Sequence, residues 1–419
     1  MAQSQASPST SAALGFASSS RRSWMLLTAL AGNMLLDALE VSVVIVSLPA
    51  ISDAFDLSVW SVQWVMGGFA LGFAALLLPG ARLAVRFGQR RVYLAALAVF
   101  AVASLVGGSA PDETLLIATR VAKGACAALT APTGLAIITT TFREGPDRNR
   151  AVAVYSFFGA VGFTTGLLLS GLLTQISWRW TFLFAAPVAL VLLLFAAGTV
   201  PRDLDRTAAP RGRPLRRLLG NGPLVRSALC AAALNGTYLG LLFLATFQLQ
   251  TLLGWSPWQT ALAFLPACVP LAVSALASGR MVTRFGAPRL IALGTAAPVI
   301  GYALYPRSTV PTSYAADVLP TLALVGVGFV CAFAALNMQA SGALPAADRR
   351  AATALYQTAV QLGAVIMLTL VSVLLSLGLP RHADDIAAAY RPPLLLLTAV
   401  AAGGLAVAVW GLVPRTRQS

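Results

Sequence analysis

Arg82-Leu83-Ala84-Val85-Arg86-Phe87-Gly88-Gln89-Arg90-Arg91 follows one apolar run, and 198 residues later Arg280-Met281-Val282-Thr283-Arg284-Phe285-Gly286-Ala287-Pro288-Arg289 follows another. Arg82, Arg86, Phe87, Gly88 and Arg91 return as Arg280, Arg284, Phe285, Gly286 and Arg289, at an offset close to half the chain. Two ordinary basic loops would account for the arginines but not for the shared R-F-G register. Internal duplication accounts for both.

The runs flanking these loops are long enough to cross a membrane. The 419 residues are 58% hydrophobic and 10% charged, with a mean hydropathy of +0.79, which marks a polytopic membrane protein rather than a water-soluble core. At about 20 residues per ~30 Å crossing, twelve runs qualify, at about 24–50, 62–81, 92–110, 114–141, 151–174, 181–200, 226–250, 258–279, 288–306, 315–341, 352–377 and 393–413. The expected fold is all-α, with twelve transmembrane helices in two six-helix bundles, residues 24–200 and 225–413. A disordered tail (1–23), a Pro- and Arg-rich linker (201–224) and a short tail (414–419) complete the expectation.

The net charge of +15 is not that of a nucleic-acid binder, because the basic residues lie in short loops between apolar runs, where they set topology. With both termini inside, the outer loops hold only Arg179, Arg307, Arg381 and Arg391. The expected location is a bacterial cytoplasmic membrane, since a single lysine against 28 arginines suggests a GC-rich genome. Cys126, Cys230, Cys268 and Cys331 all fall within apolar runs and read as packing residues, not a disulfide framework. His382, the one histidine, stands in an outer loop beside Asp384 and Asp385 and reads as a surface residue, so no metal site is expected.

The costliest stretch is Leu35 to Pro49, L-L-D-A-L-E-V-S-V-V-I-V-S-L-P. Acids inside a membrane are read as functional by default, and Asp37 and Glu40, about 60° apart around a helix, share a face. The fourth run carries two cations, Arg120 and Lys123. At 1.5 Å per residue Glu40 and Arg120 lie ~13 and ~12 Å below the outer edge, Asp37 and Lys123 ~18 and ~16 Å below it. Two layers of pairs are expected, Glu40 with Arg120 and Asp37 with Lys123. They would form the proton-coupling centre, or else simply neutralise one another.

The duplicated loop resembles the signature between the second and third spans of the major facilitator superfamily. Glu40-Val41-Ser42-Val43-Val44-Ile45-Val46-Ser47-Leu48-Pro49 is similar to the first-span motif of its drug:proton antiporters related to the EmrB/QacA group, with Glu for the usual Asp. Arg120-Val121-Ala122-Lys123-Gly124 resembles the fourth-span motif, with Lys123 where glutamine is usual. Trp178-Arg179-Trp180-Thr181-Phe182 resembles the signature opening the sixth span, and Gln250 to Gly254, Leu265-Pro266 and Gln361-Leu362-Gly363 resemble the second half. Val85 and Thr283 stand where the loop signature carries an acid. Leu167 replaces the proline of the fifth-span antiporter motif, of which Gly159, Gly162, Gly166, Ser170 and Gly171 survive.

The resemblance implies proton-coupled efflux of drugs or small organic metabolites by alternating access, with uptake symport as the alternative. It assigns Arg82, Arg86, Gly88, Arg91, Arg280, Arg284 and Gly286 to a gating loop. Polar residues that could line the substrate path are Asn33, Asn235, Tyr238, Gln248, Asn337, Gln339, Gln357 and Gln361; hydrogen bonding between helices is the alternative for each. No cofactor is expected: the sole lysine is followed by Gly124-Ala125, not Ser or Thr, so no phosphate-binding loop is expected and an ion gradient supplies the energy, which the resemblance implies is a proton gradient. The expected partners are a lipophilic small molecule and the bilayer, with the chain a monomer. A membrane enzyme or a receptor of transporter shape fits less well, for want of any clustered catalytic or metal-binding motif.

Overall fold

The computed structural model describes residues 10–142, 145–201, 215–274, 278–305, 313–342, 344–345, 348–378 and 386–410. Among the described residues, eleven helices are long and apolar enough to cross a membrane, and a bent pair taken as one span makes a twelfth. In chain order we number them span 1 (Ser23–Ser42), span 2 (Val59–Phe87), span 3 (Gln89–Gly108), span 4 (Glu113–Ile138), span 5 (Asp147–Thr174), span 6 (Trp180–Thr199), span 7 (Gly222–Leu252), span 8 (Pro257–Ala263 with Leu265–Ser274), span 9 (Ala287–Leu304), span 10 (Tyr314–Ala340), span 11 (Arg349–Gly378) and span 12 (Arg391–Trp410). Span 8 bends by 51° around Phe264. Pro266, two residues on, has no N–H to carry the helical ladder through that point.

The packing repeats with a period of six spans. Span 1 packs on span 5 as span 7 does on span 11, span 2 on span 4 as span 8 on span 10, and span 3 on span 6 as span 9 on span 12. The bundles meet along two seams, span 2 with span 11 and span 5 with span 8, which the same repeat makes equivalent. The R-F-G register has a local cause. Gly88 (φ +89°) and Gly286 (φ +80°) each sit in the left-handed region between one helix and the next, where a side chain would be strained.

The fifth-span glycines hold span 5 against span 1. A Cβ on Gly162 would strike Leu35 O and Ala38, and one on Gly166 would strike Ser42 and Leu39 O; Ser42 Oγ donates to Phe163 O at 2.7 Å. Gly171 instead faces Ala261 and the Pro257 carbonyl across the seam to span 8. At this face of the membrane, opposite the one where span 1 begins, Gln250 Nε2 also donates to Val46 O between bundles at 2.9 Å. At the other face spans 4 and 10 scarcely touch, and Leu135 and Met338 there are exposed.

One expectation needs correcting. The first helix begins at Thr10, so residues 10–23 are helical rather than disordered. Residues 202–214 of the linker, His382 with Asp384 and Asp385, and the tail at 414–419 lie outside the described residues; Leu215–Leu219 of the linker forms a short helix.

Candidate functional site

Two polar stripes face each other inside the first bundle. On span 1, Asn33, Asp37 and Glu40 recur at the i, i+4, i+7 spacing of one helical face; on antiparallel span 4, Arg120, Lys123 and Thr130 do so at i, i+3, i+10. Glu40 takes both cations: Arg120 Nη1 donates to Oε2 and Lys123 Nζ to Oε1, each at 2.7 Å, and all three side chains are fully buried. Arg120 also donates to backbone, from Nη2 to Glu40 O at 2.9 Å and from Nε to Val65 O at 2.7 Å. Its guanidinium lies 4.7 Å from the Phe69 ring centroid, and Lys123 Nζ lies 5.0 Å from that of Phe100 and 5.5 Å from that of Phe182.

The expected two-layer pairing is therefore wrong in its lower layer. Lys123 reaches up to Glu40 instead of across to Asp37, because the depth of a lysine's Cα does not fix the depth of an ammonium on a four-carbon stem. Asp37, 5% exposed, accepts from neutral donors only. Asn33 Nδ2 lies at 2.9 Å and Thr130 Oγ1 at 2.8 Å, both on Oδ2.

The helices can come this close because of two glycines at the crossing of spans 2 and 4. A Cβ on Gly124 would strike Phe69 O, and one on Gly72 would strike Val121 O, both fixed backbone atoms. Gly124→Ala is expected to push the helices apart and lower stability by about 1–3 kcal/mol, the usual range for overpacking. A thermal unfolding comparison with Gly198→Ala, where a Cβ meets open space, checks it.

The remaining predicted residues disperse. Tyr238 is buried, with its hydroxyl 3.4 Å from Ala267 O and its ring between Phe163 of span 5 (5.7 Å) and Phe329 (4.8 Å). Gln248 accepts from the Tyr305 hydroxyl at 2.6 Å, and Asn235 donates to Val360 O at 3.1 Å. All three bond to neighbouring helices of the second bundle in this structure, and Asn33 is engaged with Asp37. Asn337, Gln339, Gln357 and Gln361 are half-buried on spans 10 and 11.

Arg82, Arg86, Arg91, Arg280, Arg284 and Arg289 are exposed, and none makes an ion pair among the described residues. Arg86 and Arg284 instead lie 5.4 and 5.5 Å from the ring centroids of Phe87 and Phe285. The Trp178-Arg179-Trp180 signature is structural: Arg179 Nη1 caps the end of span 3 at Gly108 O and Ala110 O, 3.1 and 2.9 Å away.

Thr130, Phe69, Phe100 and Phe182 were missed from the sequence. The i, i+3, i+10 spacing from Arg120 through Lys123 to Thr130 was the available signal, and Phe182 ends the sixth-span signature; nothing marks Phe69 and Phe100 among the 19 phenylalanines.

Twelve spans in two repeated bundles, with buried acids and cations inside one of them, define a membrane transporter that works by rocking one bundle against the other. The chain belongs to the Major Facilitator Superfamily, which it matches over residues 30–368. It is 32% identical to the puromycin resistance protein pur8 of Streptomyces alboniger, covering 84% of this chain and 81% of that one. It is 30% identical to a lincomycin resistance protein of Streptomyces lincolnensis, covering 87% and 86%. The nucleoside transporter NupG superposes with a TM-score of 0.72 at 11% identity, over 92% of this chain and 99% of that one, a likeness of fold alone.

Proposed function

We propose that this protein is a proton-coupled exporter of small, lipophilic organic molecules, acting as a monomer in a bacterial cytoplasmic membrane with both termini in the cytoplasm. The observation that carries the reading is the division of labour between its two buried acids. Glu40 is committed to two buried cations, one on each carboxylate oxygen. Only neutral donors hold Asp37, which leaves it the acid available for proton exchange. With Glu40, Arg120 and Lys123 charged, the cluster carries one excess positive charge. An ionised Asp37 balances it and a protonated Asp37 does not, so a proton at this one position changes the net charge of the first bundle.

The Asp37 and Glu40 carboxylates lie within the bundle, not on the wall between bundles. Coupling is therefore indirect in this reading: the substrate does not compete for the acid. Proton binding at Asp37 changes how span 1 sits on spans 4 and 5, and the close glycine contacts pass this to the seam with span 8. The bundles touch at the face opposite the start of span 1, so the observed state is open to the cytoplasm, ready to load. The resistance proteins among the relatives support export as the direction.

The test uses purified protein in liposomes under an imposed pH gradient, with lipophilic antibiotics and dyes. Compound and protons moving in opposite directions is the expected result. Movement in the same direction makes the protein a symporter, and no flux of any compound removes the reading.

A further inference from the structure

Spans 1 and 7, equivalent in the repeat, both lose their regular ladder at the face where the bundles touch. Beyond Ser42, residues 43–47 form turns before the helix resumes at Leu48. There Ile45 N reaches back only to Ser42 O (3.0 Å) and Ser47 N to Val44 O (3.1 Å), the tighter pattern of a 3₁₀ turn. Span 7 ends instead in the wider π-helical turn Gln248–Leu252, a device found mostly at functional sites. A break leaves carbonyls without helical partners, and here side chains from other helices take them. Arg120 Nη2 donates to Glu40 O where the break begins, and Gln250 Nε2 donates to Val46 O near its end, each at 2.9 Å. A continuous helix would give these carbonyls to Val44 N and Ala50 N. Glu40 and Val43 to Val46 are fully buried, so neither carbonyl has water to fall back on. Of the two bonds, only that from Gln250 crosses between bundles. Gln248, in the same turn, is bonded within its own bundle, to the Tyr305 hydroxyl.

We propose that Gln250 is the latch of the outer gate: its amide, donating across the seam to Val46 O, holds the broken segment of span 1 against span 7, and outward opening releases that bond. The inference rests on the observed state being the one open to the cytoplasm. With the outer face closed, a Val46 carbonyl without its donor is a buried, unsatisfied group. With the outer face open, water reaches both groups and replaces the bond at little cost. The bond therefore stabilises one state more than the other, which is what a latch requires. It also ties the gate to the charge cluster, because Arg120 grips one end of the same break and Gln250 the other.

Opening of the outer seam is read without any transport step. Ser170 stands next to Gly171, which faces span 8 across the seam; it is fully buried and its hydroxyl has no partner. Ser170→Cys therefore places a thiol there without breaking a hydrogen bond. A membrane-impermeant maleimide added from the outside reaches this thiol only when the seam opens, and mass spectrometry quantifies the label at residue 170 apart from the native cysteines. In this background Gln250→Leu, which keeps bulk and loses the donor, is expected to label about fivefold faster, the factor carried by one hydrogen bond. Gln250→Met, unbranched like glutamine, should label equally fast, and it carries the test if the leucine variant does not fold.

Gln248→Leu removes a bond from the same turn but inside the second bundle, so it is the control and should leave the labelling rate in place. An unchanged rate on loss of the Gln250 amide, or an equal rise in Gln248→Leu, would overturn the proposal. Because labelling needs no substrate, faster labelling in a protein that moves no compound would leave the latch standing while removing the export reading.

Discussion

Glu40→Gln lowers the stability of the folded protein by about 3–5 kcal/mol and abolishes transport. The magnitude is that of removing one partner of a fully buried ion pair, and here one acid answers two cations, Arg120 and Lys123, each 2.7 Å from it. The amide keeps the shape and loses the charge, leaving Arg120 stacked on Phe69 and Lys123 between Phe100 and Phe182 without compensation. The two cations are not equivalent. Lys123→Gln leaves Arg120 on the other carboxylate oxygen and removes the excess charge, so it should cost about 1 kcal/mol, the scale of one hydrogen bond. Thermal unfolding in detergent ranks the variants, and equal losses in both would mean that Glu40 does not hold the cluster as described.

Asp37→Asn gives the opposite pattern. Its neighbours donate to one oxygen, which the amide still supplies, so the fold should hold to within about 1 kcal/mol. What it loses is the ability to give up a proton. Uphill transport driven by a pH gradient is expected to fall to background, while exchange of labelled for unlabelled compound at equal pH continues. Asp37→Glu, with the acid retained, should keep part of the uphill rate. Loss of both uphill transport and exchange in Asp37→Asn would assign the residue to substrate binding or to packing instead.

The architecture was readable in the sequence because a bilayer demands long apolar runs, and because Gly88 and Gly286, needed for left-handed turns, kept both copies of the loop in register. Asp37, Glu40, Arg120 and Lys123 were recognisable by the same demand, since charge in hydrocarbon is rare. Their pairing was not readable. Helix rise predicts where Lys123 leaves the backbone, and its flexible side chain then selects Glu40 by reach and by the Phe100 and Phe182 rings, which lie on other helices. The same limit applied to Asn235, Tyr238 and Gln248: a polar residue in an apolar run signals a bond somewhere, and only the packing shows that they bond within or beside their own bundle.

That Asp37 is the exchanging acid can be tried on the solubilised protein by following the pH of a weakly buffered solution as a transported compound is added. Wild type should release about one proton per compound bound. Asp37→Asn should bind the same compound and release none. Proton release from Asp37→Asn that matches wild type at equal occupancy would place the exchanging group elsewhere and contradict the division of labour between Asp37 and Glu40.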